Sequence, residues 1–420
     1  VGDNRIPSKE KQDIDYNNWL KEQEIRDVDT EEIKDKLVTE LKFLSNMNVK
    51  EYTLWRKWCE IQEKYPVKSS NVGLYFKNAN KSSINAELEQ LKNNIWIPES
   101  PKDYLKLEPI VISTNDKKKV GSIKIWNQLR VFIHTMINNS NIGRNLYFLI
   151  IDNVTGKYLG ITCLSSDFMD LTPRDNYIRW TRDQRTKGKR INHTSIASTI
   201  VPTQPLGFNF LGGKLMALMA ISKVPETTWN NHYKDILAGV TTTSLYSSFS
   251  QYQNLNYWNK RGHSAGSIKF EPTRKTIKAT MEWLKCKEPR KYWEWWLATG
   301  IDGMPLKRDY KQRSLAYVYR QMEIPKEYFE TNHQRGIYFC TLYNNTCEFL
   351  REDISSDKLV KRFDNSQEAL TKIWKEKYAK KRVKKLLEEC RYNTNGLFYD
   401  GMIGKTWEES REIYLGEVGR

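Results

Sequence analysis

Gly212-Gly213-Lys214 stands between a β-branched run, Thr194–Thr203, and an apolar stretch of helix formers. Glycines where a strand turns into a helix let a phosphate approach the backbone, whose free N–H groups and aligned dipoles favour anions. The spacing from Gly207 to Gly212 suits a phosphate-binding loop of nucleotide hydrolases. Gly213-Lys214-Leu215, however, lacks the register and the hydroxyl, and no dinucleotide fingerprint is present. Upstream, Arg174, Arg179, Arg182, Arg185, Lys187, Lys189 and Arg190 crowd one stretch with Tyr177 and Trp180 among them. Cations neutralise phosphates and aromatic rings offer a face to an unstacked base, so these residues, Trp180 included, are nucleic-acid-binding candidates. Gly188 and the lack of apolar periodicity predict a mobile loop there. A merely solvated loop is the competing reading, with Asp175 an ion-pair partner of one arginine. Downstream, Ser247, Ser248, Tyr252, Asn254 and Tyr257 gather groups able to pass protons, although aromatics at such spacing also build cores.

The totals bound what these residues can serve. The chain has 420 residues, 68 Lys+Arg against 51 Asp+Glu and a net charge of +17, a field that attracts polyanions. Fourteen Trp and 23 Tyr supply the large side chains that a folded core needs and a disordered chain lacks. The polar start, Val1 to Gln12, reads as no signal peptide. Leu146–Ile151 and Leu215–Ile221 are too short to cross a bilayer. Six scattered Cys and five dispersed His give no local metal-ligand spacing, so no metal is expected. The expected location is the cytoplasm of a bacterium or a phage-infected host cell, with nucleic acid, most simply DNA, as partner and no membrane.

Three blocks must position the candidates. Residues 1–120 read as a helical region with basic faces. Its helices are Glu31–Asn46, with Ile33, Leu37, Leu41 and Leu44 on one face; Asn48–Tyr65, with Tyr52, Trp55, Cys59 and Gln62; and Ser83–Asn93. Asn115–Lys119 reads as a linker. Residues 121–270 are mixed: a helix Ile123–Asn138, a hairpin of Leu146–Ile151 and Tyr158–Leu164 turned at Gly156, strands at Thr194–Thr203 and Ile236–Leu245, an aromatic helix over Tyr246–Trp258, and a closing strand Ser267–Phe270. Residues 271–420 read as mainly helical and basic, with a Trp-rich core around Trp283–Trp296 and a hairpin over Gly336–Arg351 turned by Asn344-Asn345. Leu370–Cys390 is a Lys-rich amphipathic helix with Ile373, Tyr378, Val383, Leu386 and Leu387 inward; its charged side reads as a solvated face, with DNA clamping as a secondary role.

The order helix, hairpin, strand, glycine turn, helix, strand resembles the GNAT acyltransferase superfamily. Gln204-Pro205-Leu206-Gly207-Phe208-Asn209 is similar to its pyrophosphate loop, although Asn209 stands where a small residue is expected, and Gly212-Gly213 is a displaced alternative. Tyr257–His263 occupies the place of its Tyr-x-x-x-Gly-Phe, with His263 for Phe. A narrower series, Leu159-Gly160, Ser165-Ser166 and Arg174-Asp175-Asn176-Tyr177-Ile178-Arg179-Trp180, resembles the Druantia anti-phage protein A family, with Arg179 in place of a glycine. That family and the Mom family of phage DNA-modification enzymes look like divergent GNAT relatives.

The resemblance implies an α+β chain with a central GNAT-like mixed sheet between basic, mainly helical flanks. It implies an acyl-CoA or another small activated donor in a V-shaped opening beside Thr199–Gly213, held by Thr203, Gln204, Gly207, Gly212, Gly213 and Lys214. It also implies Tyr252 or Tyr257 as the acid and Asp175, or Asp167 or Asp170, as the base of acyl transfer to a nucleobase amine. Such a base must leave the duplex stack. The alternatives are a non-catalytic nucleic-acid-binding component of a phage or anti-phage system and a basic virion structural protein.

Overall fold

A computed structural model describes residues 6–24, 27–65, 81–114, 122–137, 143–246, 250–303, 305–307, 309–390 and 399–418. The expected linker 115–119, Ser247 and Ser248 lie outside them. The chain divides into two units, each discontinuous in sequence: residues 1–52 with 267–333, and residues 53–266 with 334–420.

The smaller unit is built on helices whose apolar stripes face one another. Helix Thr30–Ser45 starts on Asp29, whose carboxylate accepts from Glu31 N, and buries Ile33, Leu37, Leu41 and Leu44, the face its 3.6-residue periodicity predicts. Helix Arg274–Lys287 buries Met281, Trp283 and Leu284. The two helices are tied by Glu40, which accepts from Thr273 and Thr276, and by Trp283 Nε1, which donates to Thr30 Oγ1. Trp283 and Trp293 are core residues, as their crowding suggests.

The larger unit carries the candidate sites and all of the sheet except residues 267–269 and 330–333. Among the described residues the strands are β1 Pro109–Ser113, β2 Asn145–Asp152, β3 Tyr158–Ser166, β4 Thr194–Pro202, β5 Gly239–Ser244, β6 Asn259–Lys269 and β7 Glu330–Thr341, in the order β1-β2-β3-β4-β5-β7-β6. The chain is α+β with one mixed sheet. β2 and β3 form the expected antiparallel hairpin, turned by Asp152, which accepts from Thr155, and by Gly156 at φ +70°. β1 is a strand inside a block that reads as helical.

Four other readings need correction. Tyr246–Trp258 holds turns rather than a helix where it is described; Asn254 and Tyr257 have φ of +53° and +72°, which break helical winding. The closing strand begins earlier, at Asn259, so the segment Lys260–His263 is extended. Asn344-Asn345 does not turn a hairpin: β7 runs into helix Thr346–Leu350, and the Asn345 side chain bonds Lys358 O and Val360 N instead. The Lys-rich helix is interrupted by a π-helical stretch, Lys375–Ala379, between Gln367–Trp374 and Lys380–Glu388. The extra residue rotates the register. Ala379 is buried and Leu387, expected inward, is exposed.

Alternation along the strands separates two cores. Tyr338 and Cys340 of β7 pack with Trp374, Val383 and Leu386, whereas Phe339 packs on the opposite face with Ile178 and Trp180.

Candidate functional site

The basic stretch 174–190 is not an irregular loop. It folds as helix Thr172–Ile178, helix Arg182–Thr186 and a 3-10 turn, Arg190–His193. Thr181 and Gln184 form a capping box that starts the second helix. The missing apolar periodicity has a cause: charged residues fill the inner positions.

Arg174 is the centre of that interior. Its guanidinium meets Asp167 at 2.8 Å, both side chains having no exposed surface, and donates to Asp175 Oδ1 from Nε at 2.9 Å and Nη2 at 2.7 Å. Nη2 also reaches Phe168 O at 2.8 Å. Asp167 accepts from Thr241 Oγ1 on β5 at 2.7 Å, which ties the cluster to the sheet. Asp175 accepts further from Trp180 Nε1 at 2.9 Å and Leu171 N at 2.8 Å. Arg185 bonds Asp170 at 2.8 Å and lies 3.6 Å from Asp175. Burial opposes the charge on Arg174, but Asp167 and Asp175 outweigh it and hold the guanidinium above its ordinary value. Asp175 therefore sits as the shared acceptor of a buried clamp.

The clamp sorts the nucleic-acid-binding candidates. Arg174, Arg185 and Trp180 are buried, and Arg190 is tied to Glu352 at 2.8 Å. Arg179, Arg182, Lys187 and Lys189 are exposed. Lys187 pairs with Asp183 at 2.9 Å, while the side chains of Arg179, Arg182 and Lys189 have no partner among the described residues. Arg179 and Lys189 have left-handed backbones, with φ of +61° and +54°.

The donor candidates surround a divergence in the sheet. β4 and β5 pair in parallel only from Thr194↔Gly239 to Ile196↔Thr241 and then separate. A register shift between Cys163 and Leu164 bulges β4 at Ser198, which is hydrogen-bonded to Ser165 at 2.8 Å. The chain's own side chains satisfy the parted edge: Thr242 Oγ1 donates to Ala197 O at 3.0 Å and Gln251 Nε2 to Ile200 O at 3.2 Å.

The glycine turn is packed from within. β4 leads through Thr203 into a short helix, Gln204–Phe208, and only then into helix Gly212–Met219. A Cβ on Gly212 would lie 2.4 Å from Pro202 Cβ, and one on Gly213 would lie 2.6 Å from Gln251 Oε1. These glycines serve close approach of protein to protein. Gly207 keeps more room, with its nearest neighbour at 3.4 Å. Thr203 bonds Leu159 O, Gln204 bonds Ile133 O, and Lys214 bonds the carbonyls of Gln251 and Gln253.

Tyr252 and Tyr257 are also placed by packing. Tyr252 is buried, its hydroxyl bonded to Gln251 at 2.9 Å and near Thr242 at 3.4 Å. The Tyr257 ring stacks on Phe363 at 3.7 Å. Burial pushes both phenols up. The structure does not bring either tyrosine into contact with Asp175.

Several buried charges escaped the sequence reading, and Lys57 is the most deeply buried of them. Lys57, fully buried on helix Val49–Lys64, donates to Glu60 at 2.5 Å and to Val131 O at 2.9 Å. Burial pushes its ammonium down to about 8 against the pull of Glu60. Its position between Leu54 and Ile61 on the apolar stripe was the signal available. Among the described residues no His/Cys/Asp/Glu group could hold a metal ion, and no helix is long and apolar enough to cross a membrane.

No curated protein and no solved structure matches the chain. A family model, Druantia protein DruA, matches residues 104–352, which takes in the seven described strands and the whole clamp. That span exceeds half of the 420 residues, and the chain belongs to the Druantia protein DruA family, a component of an anti-phage defence system.

Proposed function

We propose that this chain is a nucleic-acid-binding component of its anti-phage system and holds duplex DNA on the surface formed by Arg179, Arg182, Lys187 and Lys189. The observation that carries this reading is the exposed guanidinium of Arg179, which stands on a left-handed backbone. A left-handed residue favours glycine and costs roughly 1–2 kcal/mol for a side chain with a Cβ. Arg179 accepts that strain at an exposed position with no partner for its guanidinium among the described residues. The left-handed turn caps helix Thr172–Ile178, with Arg179 N donating to Asp175 O at 2.8 Å, and it presents the unpartnered guanidinium to an external phosphate. The clamp beneath fixes the helices that carry these residues, so the ordering cost of binding falls on their side chains alone.

The test is duplex affinity against salt for the intact chain and for Arg179→Glu/Arg182→Glu/Lys189→Glu. Phosphate contacts predict steep salt dependence in the first and a shallower slope in the second. Equal affinities would end this reading. Arg185 is unsuited to such a test, because its reversal would break the ion pair with Asp170.

A second reading, acyl transfer from acyl-CoA or another small activated donor to a nucleobase amine, draws support from the divergence of β4 and β5. Gln251 and Lys214, which fill the parted edge, would have to move to admit the donor. Mass spectrometry of nucleosides from cells expressing the intact chain or Gly207→Glu tests it. A new mass with the intact chain alone would establish it. Gly212→Glu would instead collide with Pro202 and report folding.

A further inference from the structure

On the opposite sheet face from the clamp, Phe210 is 63% exposed and has a φ of +55°. Its neighbours pin it on both sides. Arg382 Nε donates to Asn209 O at 2.9 Å, and Trp374 Nε1 donates to Leu211 O at 3.0 Å. Asn209 is itself buried, its amide bonded to Tyr104 Oη and Pro205 O, both at 2.9 Å. A large apolar ring is thus held in water, in a backbone region that opposes it, by a frame in which Asn209, Leu211 and Trp374 are buried and Arg382 is half-buried. The Arg382 guanidinium lies 5.1 Å from the ring centroid. On the helices that carry Trp374 and Arg382 and the π-helical stretch between them, Lys372, Lys377, Lys380 and Lys381 are exposed and have no ion-pair partner among the described residues.

We propose that Phe210, Arg382 and these lysines form a single-stranded nucleic-acid site, in which an unpaired base stacks on the Phe210 ring and the backbone phosphates lie against the cations. The unbalanced positive charge calls for a polyanion. The ring selects among polyanions: in a duplex the base faces are already stacked, whereas an unpaired base has a free π-face for an aromatic platform. This site goes beyond the duplex-binding reading and shares no residue with the surface around Arg179.

The test is fluorescence anisotropy with a labelled oligothymidylate of about 20 nucleotides, a duplex of equal length, and vesicles containing phosphatidylserine. Phe210→Ala should weaken oligothymidylate binding about tenfold and leave duplex affinity unchanged, while Phe210→Trp should retain it. Lys377→Glu/Lys381→Glu should flatten the salt dependence for the single strand. Phe210→Gly removes the left-handed strain, so its Tm should not fall; lost binding in this variant cannot then be ascribed to unfolding. Wild-type affinity in Phe210→Ala, an equal loss for both nucleic acids, or preference for the vesicles would overturn the proposal. Loss of duplex binding confined to the Arg179/Arg182/Lys189 variant would leave the duplex reading standing even if the single-strand site fails.

Discussion

Arg174 and Lys57 are both buried cations of the larger unit, and their surroundings send them in opposite directions. Arg174 lies between Asp167 and Asp175 and is held above its ordinary value. Lys57 has Glu60 as its ion-pair partner, with Arg130 and Lys64 opposing its charge, and it falls to about 8. A buried charge is kept when the carboxylates around it outweigh desolvation and repulsion, and is eroded when they do not. The first cluster is therefore a permanent strut beneath a charged surface; the second is a titratable element of the helical layer.

Removal of Arg174 should have the larger effect on the fold. Arg174→Ala leaves Asp167 and Asp175 without their main counter-charge and should cost about 3–5 kcal/mol in urea denaturation. Adding Asp167→Asn and Asp175→Asn to Arg174→Met should recover much of that loss. A cost below about 1 kcal/mol would show that the clamp is not what holds the surface.

Lys57 supplies the opposite sign. Its folded value lies below its ordinary 10.5, so the unfolded chain binds more protons between about pH 8 and 10.5. Stability from this group accordingly rises with pH across that window, by roughly 3 kcal/mol at most. The phenols and thiols that burial pushes up act in the other direction at high pH, so the quantity to measure is the difference between the intact chain and Lys57→Met. A difference that stays flat from pH 8 to 10.5 would contradict the assignment.

The smallest effect concerns strain. Arg179→Gly should raise stability by roughly 1 kcal/mol, because the left-handed penalty outweighs the added freedom of glycine in the unfolded chain. The same variant should bind duplex DNA more weakly. A variant that is both less stable and equally tight would mean that Arg179 is held by the fold.

Local patterns were legible where neighbours in sequence decide the structure. Helix Thr30–Ser45 follows its apolar period, and the β2–β3 hairpin follows its alternation and turn. The composition of residues 174–190 marks a basic element, but which arginines turn inward depends on Asp167 and on Thr241 of β5, distant in sequence. The glycines at 212 and 213 look like room for a phosphate, whereas their space is taken by Pro202 and Gln251. Asn344-Asn345 has turn chemistry that serves a helix start as well as a hairpin. The two-unit division joins residues 1–52 to 267–333, a pairing made by helix packing that no run of composition marks.

Whether duplex DNA is held on the surface around Arg179 is decided by the duplex affinity of the intact chain and of Arg179→Glu/Arg182→Glu/Lys189→Glu at several salt concentrations. The triple charge reversal should weaken binding about 100-fold near 0.1 M salt and reduce the log–log slope by about 3. Identical curves for the two proteins would contradict that placement.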